Sequence, residues 1–450
     1  MNIQLPLDVK NIIEILEENG HAAYIVGGCV RDFILGYKPK DWDITTSAKP
    51  EEVKKLFKRT IDTGIEHGTV TIMIGDNGYE VTTFRLDGDY LDGRHPENVE
   101  FTNDLSEDLR RRDFTINAMA YNESEGLIDL YGGIEDLHNR IIRCVGEPEE
   151  RFSEDALRMM RAVRFAARFG FEIEPETYGA IFGLAPTLAK VSAERIREEF
   201  MKIICSRHPE KMHDLYKLGL TRVFLPEWDA MEKTEQNTPH HLYKVGHHTI
   251  EVIKHLNASS DAHVLAAFLH DVGKPMCKTT DENGRDHFKG HAEIGVQMAV
   301  DIMRRLKFDN KTIKYVGTLV RYHDARPGNN PYEVRRLMSI VGKSETRDLI
   351  ELSRADLDGQ NQNYLMLEKR DTLNDFEVYY EEAVESGFAV SLGELEIKGS
   401  DLIELGVEPG PKMGEILKTC LDEVLKYPLM NTKGDLERIA LDIINGRYRG

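Results

Sequence analysis

With 450 residues, 41% apolar and 30% charged side chains, the chain has the composition of a globular protein and apolar material for roughly two to four domains. A net charge of −20 argues against indiscriminate nucleic-acid binding, although Arg110-Arg111-Arg112 and Arg158, Arg161, Arg164 and Arg168 leave room for a local basic groove. No apolar run approaches the roughly 20 residues of a bilayer span, and Met1–Pro6 lacks the basic and apolar regions of a secretory signal. The five cysteines are scattered without a C-x-x-C pair, so a reducing cytoplasm is the expected compartment.

In chain order, Ile12, Ile13 and Leu16 predict a helix over 8–19 that stops at Gly20, and residues 22–26 read as a buried strand. Gly27-Gly28 opens a short helix ending near Gly36. A second strand is expected over 41–45, a helix over 50–57, and a hairpin in which 69–74 and 79–84 flank Asp76-Asn77-Gly78. The result is a small mixed sheet with helices over 1–145, an α+β beginning. From Ser153, read as an N-cap with Glu154 and Asp155 behind it, a helix runs to Phe169. Helices then dominate 146–235, 236–360 and 361–450, with a boundary at Asn237–His241 and a loop at Gly406–Pro411.

Five segments carry chemistry. The Gly27-Gly28 turn lets backbone N–H groups approach a triphosphate at a helix start. Asp41 and Asp43, alternating on one strand face, can hold divalent metal, although a D-x-D also fits an exposed turn. The hairpin brings Glu80 alongside as a third carboxylate, unless it is a surface charge on an edge strand. Arg111, Arg112 and Asp113 pair phosphate-neutralising guanidiniums with an acceptor for a ribose hydroxyl, or form a solvated basic loop. Asp155 and Arg158, i and i+3 on one helix face, are an ordinary ion pair or a base reader. As a reader, the carboxylate accepts from an exocyclic amine while the guanidinium donates to a ring nitrogen. That pattern takes cytosine and adenine and rejects uracil and guanine. Arg161, Arg164 and Arg168 continue the helix toward phosphates. Together these segments say nucleotidyl transfer.

The runs Val26–Asp32, Asp41-x-Asp43, Glu80–Arg85, Arg111–Ala118, Glu154-Asp155-x-x-Arg158 and Glu194–Glu199 closely resemble the class II tRNA nucleotidyltransferases, the CCA-adding enzymes. The resemblance covers about the first 225 residues in family order and spacing. It implies a polymerase-β-type palm over 1–145 and a helical neck and body over 146–235. Asp41 and Asp43 are then the Mg²⁺ ligands, with Glu80 the third catalytic carboxylate. Gly27, Gly28, Arg31, Arg112, Arg161 and Arg164 hold the nucleotide phosphates, Asp113 meets the ribose, and Asp155 and Arg158 read the base. Implied partners are tRNA, CTP and ATP, with no membrane, in a monomer or homodimer. CC-adding and A-adding enzymes are alternatives within the family; Arg85–Pro96 looks like the flexible loop of the complete CCA enzymes.

A second set, His248, His270-Asp271, His291, His323-Asp324 and Asp356, offers imidazole and carboxylate ligands suited to Mn, Ni, Fe, Zn or Mg. His270-Asp271 ends an apolar stretch, where polar ligands suit a buried metal. The context resembles the HD phosphohydrolases. It implies a metal site of His248, His270, Asp271 and Asp356 over 236–360, with His291 and His323 accessory. An active site of this kind would act on phosphoesters at damaged RNA ends. A further alternative is an HD phosphohydrolase carrying a vestigial transferase domain. The segment 395–414 resembles the C-terminal region of some HD-containing CCA enzymes, so 361–450 is expected to help position tRNA.

Overall fold

The computed structural model describes residues 3–448 except 88–98, 326, 328–329 and 362–366. The chain packs as two compact units, Met1–Asp229 and Ala230–Gly450. No helix among the described residues is long and apolar enough to cross a membrane.

In the first unit, α1 (Leu7–Glu18) buries Val9, Ile12, Ile13 and Leu16, one stripe at helical spacing. Seven strands follow the order β3-β4-β5-β2-β1-β8-β9. They are β1 (Ala23–Val26), β2 (Ile44–Thr46), β3 (Thr60–Gly64), β4 (Thr69–Ile74), β5 (Asn77–Thr83), β8 (Met119–Asn122) and β9 (Gly126–Asp129), with β6 (Arg85–Asp87) and β7 (Val99–Phe101) forming a separate hairpin. The sheet is mixed, because β2 and β5 pair in parallel at Ile44–Val81 while the other neighbours run antiparallel. Between strands lie α2 (Gly28–Ile34), α3 (Pro50–Leu56) and α4 (Leu105–Arg110). Tyr24, Val26, Phe84, Leu109 and Ala120 form a buried cluster that seats α4 on the sheet. Most of the Arg85–Pro96 loop lies outside the described residues.

Three boundaries differ from the sequence reading. The hairpin turn is Gly75-Asp76, with Ile74 opposite Asn77, because Gly75 takes the positive φ of +60° that the tight turn needs. Strand β2 starts at Ile44, so Asp41 and Asp43 precede the strand; the Val26 N–H donates to the Asp43 carbonyl (3.0 Å) just before the β1–β2 ladder. The helix expected from Ser153 is two helices. After α5 (Gly133–Asn139), Pro148 at the first position and Glu149 and Glu150 in the first turn start α6 (Pro148–Glu154). Asp155 is then extended (φ −143°, ψ 103°) and α7 (Leu157–Phe169) begins anew, running to Gly170. After α8 (Pro175–Leu184), α9 (Ala193–Ile204) packs beside α7.

The second unit is helical. Its main described helices include Val245–His255, Asp261–Leu269, His291–Arg305, Asn310–Tyr322, Lys343–Asp358, Pro411–Lys426 and Lys433–Ile444. Val264–Leu269 is buried without interruption and delivers His270 and Asp271 into the interior.

Candidate active site

The first site lies at the C-terminal end of β1 and the start of β2, beside the middle of β5. Gly27, at φ +75° and ψ −122°, turns the chain from β1 into α2. A Cβ there would stand 3.1 Å from Arg112 Nη1, so the missing side chain lets Arg112 lie against the turn. The parallel register sets Glu80 beside Asp43, one residue before the Ile44–Val81 pair. Asp43, Glu80, Arg85, Arg111 and Arg112 line a cleft of about 220 Å³. Lost hydration, then Glu80 and Asp41, push the Asp43 carboxyl above its usual range against the pull of Arg112. Carboxylates that repel one another suit a hard divalent cation such as Mg²⁺, but Asp41 does not line the cleft, and the three carboxylates do not converge to metal-ligand spacing. Arg31 is placed differently. It is buried, its guanidinium donates to Asp32 and Asn117, and it stacks 4.9 Å from the Phe169 ring, bracing the turn from behind.

Asp113 is buried and accepts from Arg161 Nε (2.8 Å) and Nη2 (2.6 Å) and from Asn117 Nδ2 (3.0 Å). Burial alone would raise its carboxyl, but Arg161, Asn117 and Arg158 together hold it well below the usual range. Arg164 pairs with buried Glu199, and burial pushes it down to about 10. Asp155 and Arg158 do not share a helix face, since Asp155 sits in the break before α7. Asp155 caps Leu157 N (3.0 Å) and pairs with Arg195 (2.7 Å). Arg158 pairs with Glu154 (2.6 Å) and donates to the Arg111 carbonyl (3.1 Å).

In the second unit the six ligand candidates converge. Asp271 is buried between two sets: Oδ2 lies 3.1 Å from His270 Nε2 and 3.8 Å from His248 Nε2, while Oδ1 lies 3.5 Å from His291 Nε2 and 3.8 Å from His323 Nε2. His248 Nε2 also meets Asp356 at 3.0 Å. Three imidazoles point Nδ1 at the carbonyl three residues earlier: His270 at Ala267 (2.7 Å), His291 at Phe288 (2.9 Å) and His323 at Val320 (2.7 Å). An Nδ1–H donated to a carbonyl leaves Nε2 as the free lone pair, the tautomer a metal needs. Two overlapping groups, His248/His270/Asp271 and Asp271/His291/His323, have metal-ligand spacing, and this nitrogen-rich donor set fits a transition metal. Gly273 has no room for a Cβ because the His291 carbonyl and Gly295 N press against it. Lys274 Nζ contacts Asp271 Oδ2 at 2.6 Å, and the cluster floors a cavity of about 370 Å³ that His241, Arg285 and Lys289 also line.

Sequence reasoning passed over Asp108, Asn117 and Lys274 as individual residues. Asp108 in particular reads as one more acid on a polar helix, and only its complete burial distinguishes it.

Family models match three parts of the chain: "Poly A polymerase head domain" over 23–143, "Probable RNA and SrmB- binding site of polymerase A" over 170–232, and tRNA nucleotidyltransferase domain 2 over 291–440. A CCA-adding enzyme of Levilactobacillus brevis is 35% identical over 96% of this chain and 97% of its own. One from Leuconostoc mesenteroides is 33% identical over 98% of each chain. The crystal structure of the Bacillus stearothermophilus CCA-adding enzyme in complex with CTP superposes with a TM-score of 0.74 at 29% identity, covering 99% of both chains. The palm with its mixed sheet and the helical remainder is therefore the fold that the sequence motifs implied. With such identity along nearly the full length of both partners, this chain belongs to the CCA-adding enzymes.

Proposed function

We propose that the chain adds C, C and A to the 3′ end of tRNA from CTP and ATP without a nucleic-acid template. The observation that carries this reading is the parallel β2–β5 pairing, which sets Glu80 beside Asp43 opposite Arg112 at the Gly27 turn. Asp41 and Asp43 would hold Mg²⁺, which when bound neutralises the phosphates and favours attack by the tRNA 3′-hydroxyl. Arg112 holds the triphosphate over the turn, with Arg161 and Arg164 extending the positive surface along α7. Arg31 keeps the turn rigid. Asp113, kept ionised by Arg161, accepts from the ribose. Asp155 and Arg158 exchange Arg195 and Glu154 for the base, accepting from the exocyclic amine and donating to the ring nitrogen.

The test uses a tRNA transcript lacking its 3′ CCA and a second ending in CC. Three additions that require both nucleotides on the first support the reading. Stalling after two identifies CC addition, and ATP use only on the second identifies A addition. Asp41→Ala removes all extension; survival of extension in that variant would remove Asp41 from the site.

The His/Asp cluster favours a second activity beside the first. His248, His270, Asp271 and Asp356, with His291 and His323, would hold a divalent metal that supplies an acidified water for attack on a phosphoester. Metal-dependent release of phosphate from RNA ends should persist in Asp41→Ala and vanish in Asp271→Ala. Release that survives the loss of Asp271 would dismiss it.

A further inference from the structure

A buried carboxylate outside the expected site residues accepts from two arginines that line the cleft. Asp108, on α4, has no exposed surface. Its Oδ1 accepts from Arg111 Nε (3.0 Å) and Nη2 (2.7 Å), and its Oδ2 from Arg112 Nη2 (3.1 Å). Thr45, two residues after Asp43, donates its hydroxyl to the same Oδ2 (3.2 Å). Burial raises the Asp108 carboxyl, but Arg112 and Arg111 outweigh it and hold the group below its usual range, so it stays charged.

Each of these contacts leads to a part of the site. Arg111 and Arg112 line the cleft with Asp43 and Glu80. Arg112 lies against the Gly27 turn. The Arg111 carbonyl accepts from Arg158 (3.1 Å), so fixing Arg111 also fixes the seat of that arginine. Asp113, with its grip on Arg161, follows directly in the chain. Thr45 ties the arrangement to β2, the strand that Asp43 immediately precedes.

We infer that Asp108 is a positioning residue for nucleotide phosphates, aiming Arg111 and Arg112 into the cleft and assigning Arg111 a contact with the triphosphate. Guanidiniums on flexible stems bind a polyanion tightly only when their geometry is set beforehand. Asp108 sets it from the buried side, where water does not compete. In the bidentate contact Arg111 spends Nε and Nη2 on Asp108. The inference rests on the nucleotidyl-transfer reading and adds two residues to its machinery.

The experiment measures KM for CTP, ATP and tRNA, and inhibition by inorganic tripolyphosphate, in the full chain, in Asp108→Asn and in Arg111→Lys. Asparagine keeps the shape and loses the charge. Lysine keeps the charge and loses the fork. Both variants should raise KM for CTP and ATP and the tripolyphosphate inhibition constant about tenfold, the size of one lost charge-assisted hydrogen bond. KM for tRNA should stay within twofold. Nucleotide KM and tripolyphosphate inhibition within twofold of wild type in Asp108→Asn would overturn the inference, as would an equal rise in KM for tRNA. If Asp108→Asn does not fold, Arg111→Lys decides by the same criteria. Failure of the unaltered chain to extend tRNA would instead remove the underlying reading.

Discussion

Replacing Gly27 by alanine tests whether the turn works as described, and Gly28 supplies the control one residue away. Gly27 combines φ +75° with ψ −122°, a region that L side chains occupy at a cost of about 1–3 kcal/mol. The new Cβ would also stand 3.1 Å from Arg112 Nη1, forcing the guanidinium outward by a few tenths of an ångström. Taking about 2 kcal/mol, and roughly 2.1 cal/mol/K of unfolding entropy per residue, the 229-residue first unit should melt roughly 4 °C lower. A small displacement of a phosphate ligand should also raise KM for CTP by roughly three- to tenfold. Gly28 has no positive φ, and its Cβ would meet Arg31 Nη2 at an ordinary 3.5 Å, so Gly28→Ala should stay within about 0.5 kcal/mol. The assay is calorimetry of the full chain, following the transition that CTP moves, with nucleotide kinetics alongside. Equal melting shifts in the two variants, or no shift in Gly27→Ala, would refute the argument from backbone conformation.

Asp113→Asn should flatten the acid limb of first-unit stability. The folded carboxyl is held below its unfolded value, so its contribution is complete above the unfolded pKa near about 3.9 and disappears as pH falls through the folded value. Urea titrations at pH 3 to 6 would show wild type losing more stability than the variant, and parallel curves would count against it. Asp155→Ala or Arg158→Ala should weaken rejection of UTP and GTP, read as misincorporation on the two tRNA substrates; retained selectivity would dismiss the base-reading assignment. Removing metal with a chelator should lower the melting of the second unit, and adding Mn²⁺ or Ni²⁺ at 100 times its dissociation constant should restore about 2.7 kcal/mol. The same addition to Asp271→Ala should restore none, and equal recovery in both proteins would contradict the ligand assignment.

The carboxylate pairing at Asp43 and Glu80 was legible because a glycine turn and two alternating runs announce a hairpin, even though the exact turn was not. The start of β2 was not legible, since the ladder ends where the cleft opens, a tertiary condition. Glu154–Arg158 is rich in helix formers, so its propensity concealed the break at Asp155. Only the geometry shows that Asp155 and Arg158 face different partners. His270-Asp271 announced itself at the end of an apolar helix. The carbonyl locks on the imidazoles are local, each to the residue three earlier, but the convergence of the rings on Asp271 and the Gly273–His291 approach depend on packing between distant segments. Asp108 is the clearest such case, a charge whose burial is decided wholly by its neighbours.

The contacts that complete the nucleotide cleft are far apart in sequence. Ile44 meets Val81, Ile25 meets Tyr121, and Arg161 meets Asp113. During synthesis, therefore, the ribosome must release the chain beyond Arg161 before the cleft can form, and shorter nascent chains carry the glycine turn and the carboxylates without the means to grip a nucleotide. Synthesis order thus places formation of the cleft after the emergence of all the elements that line it.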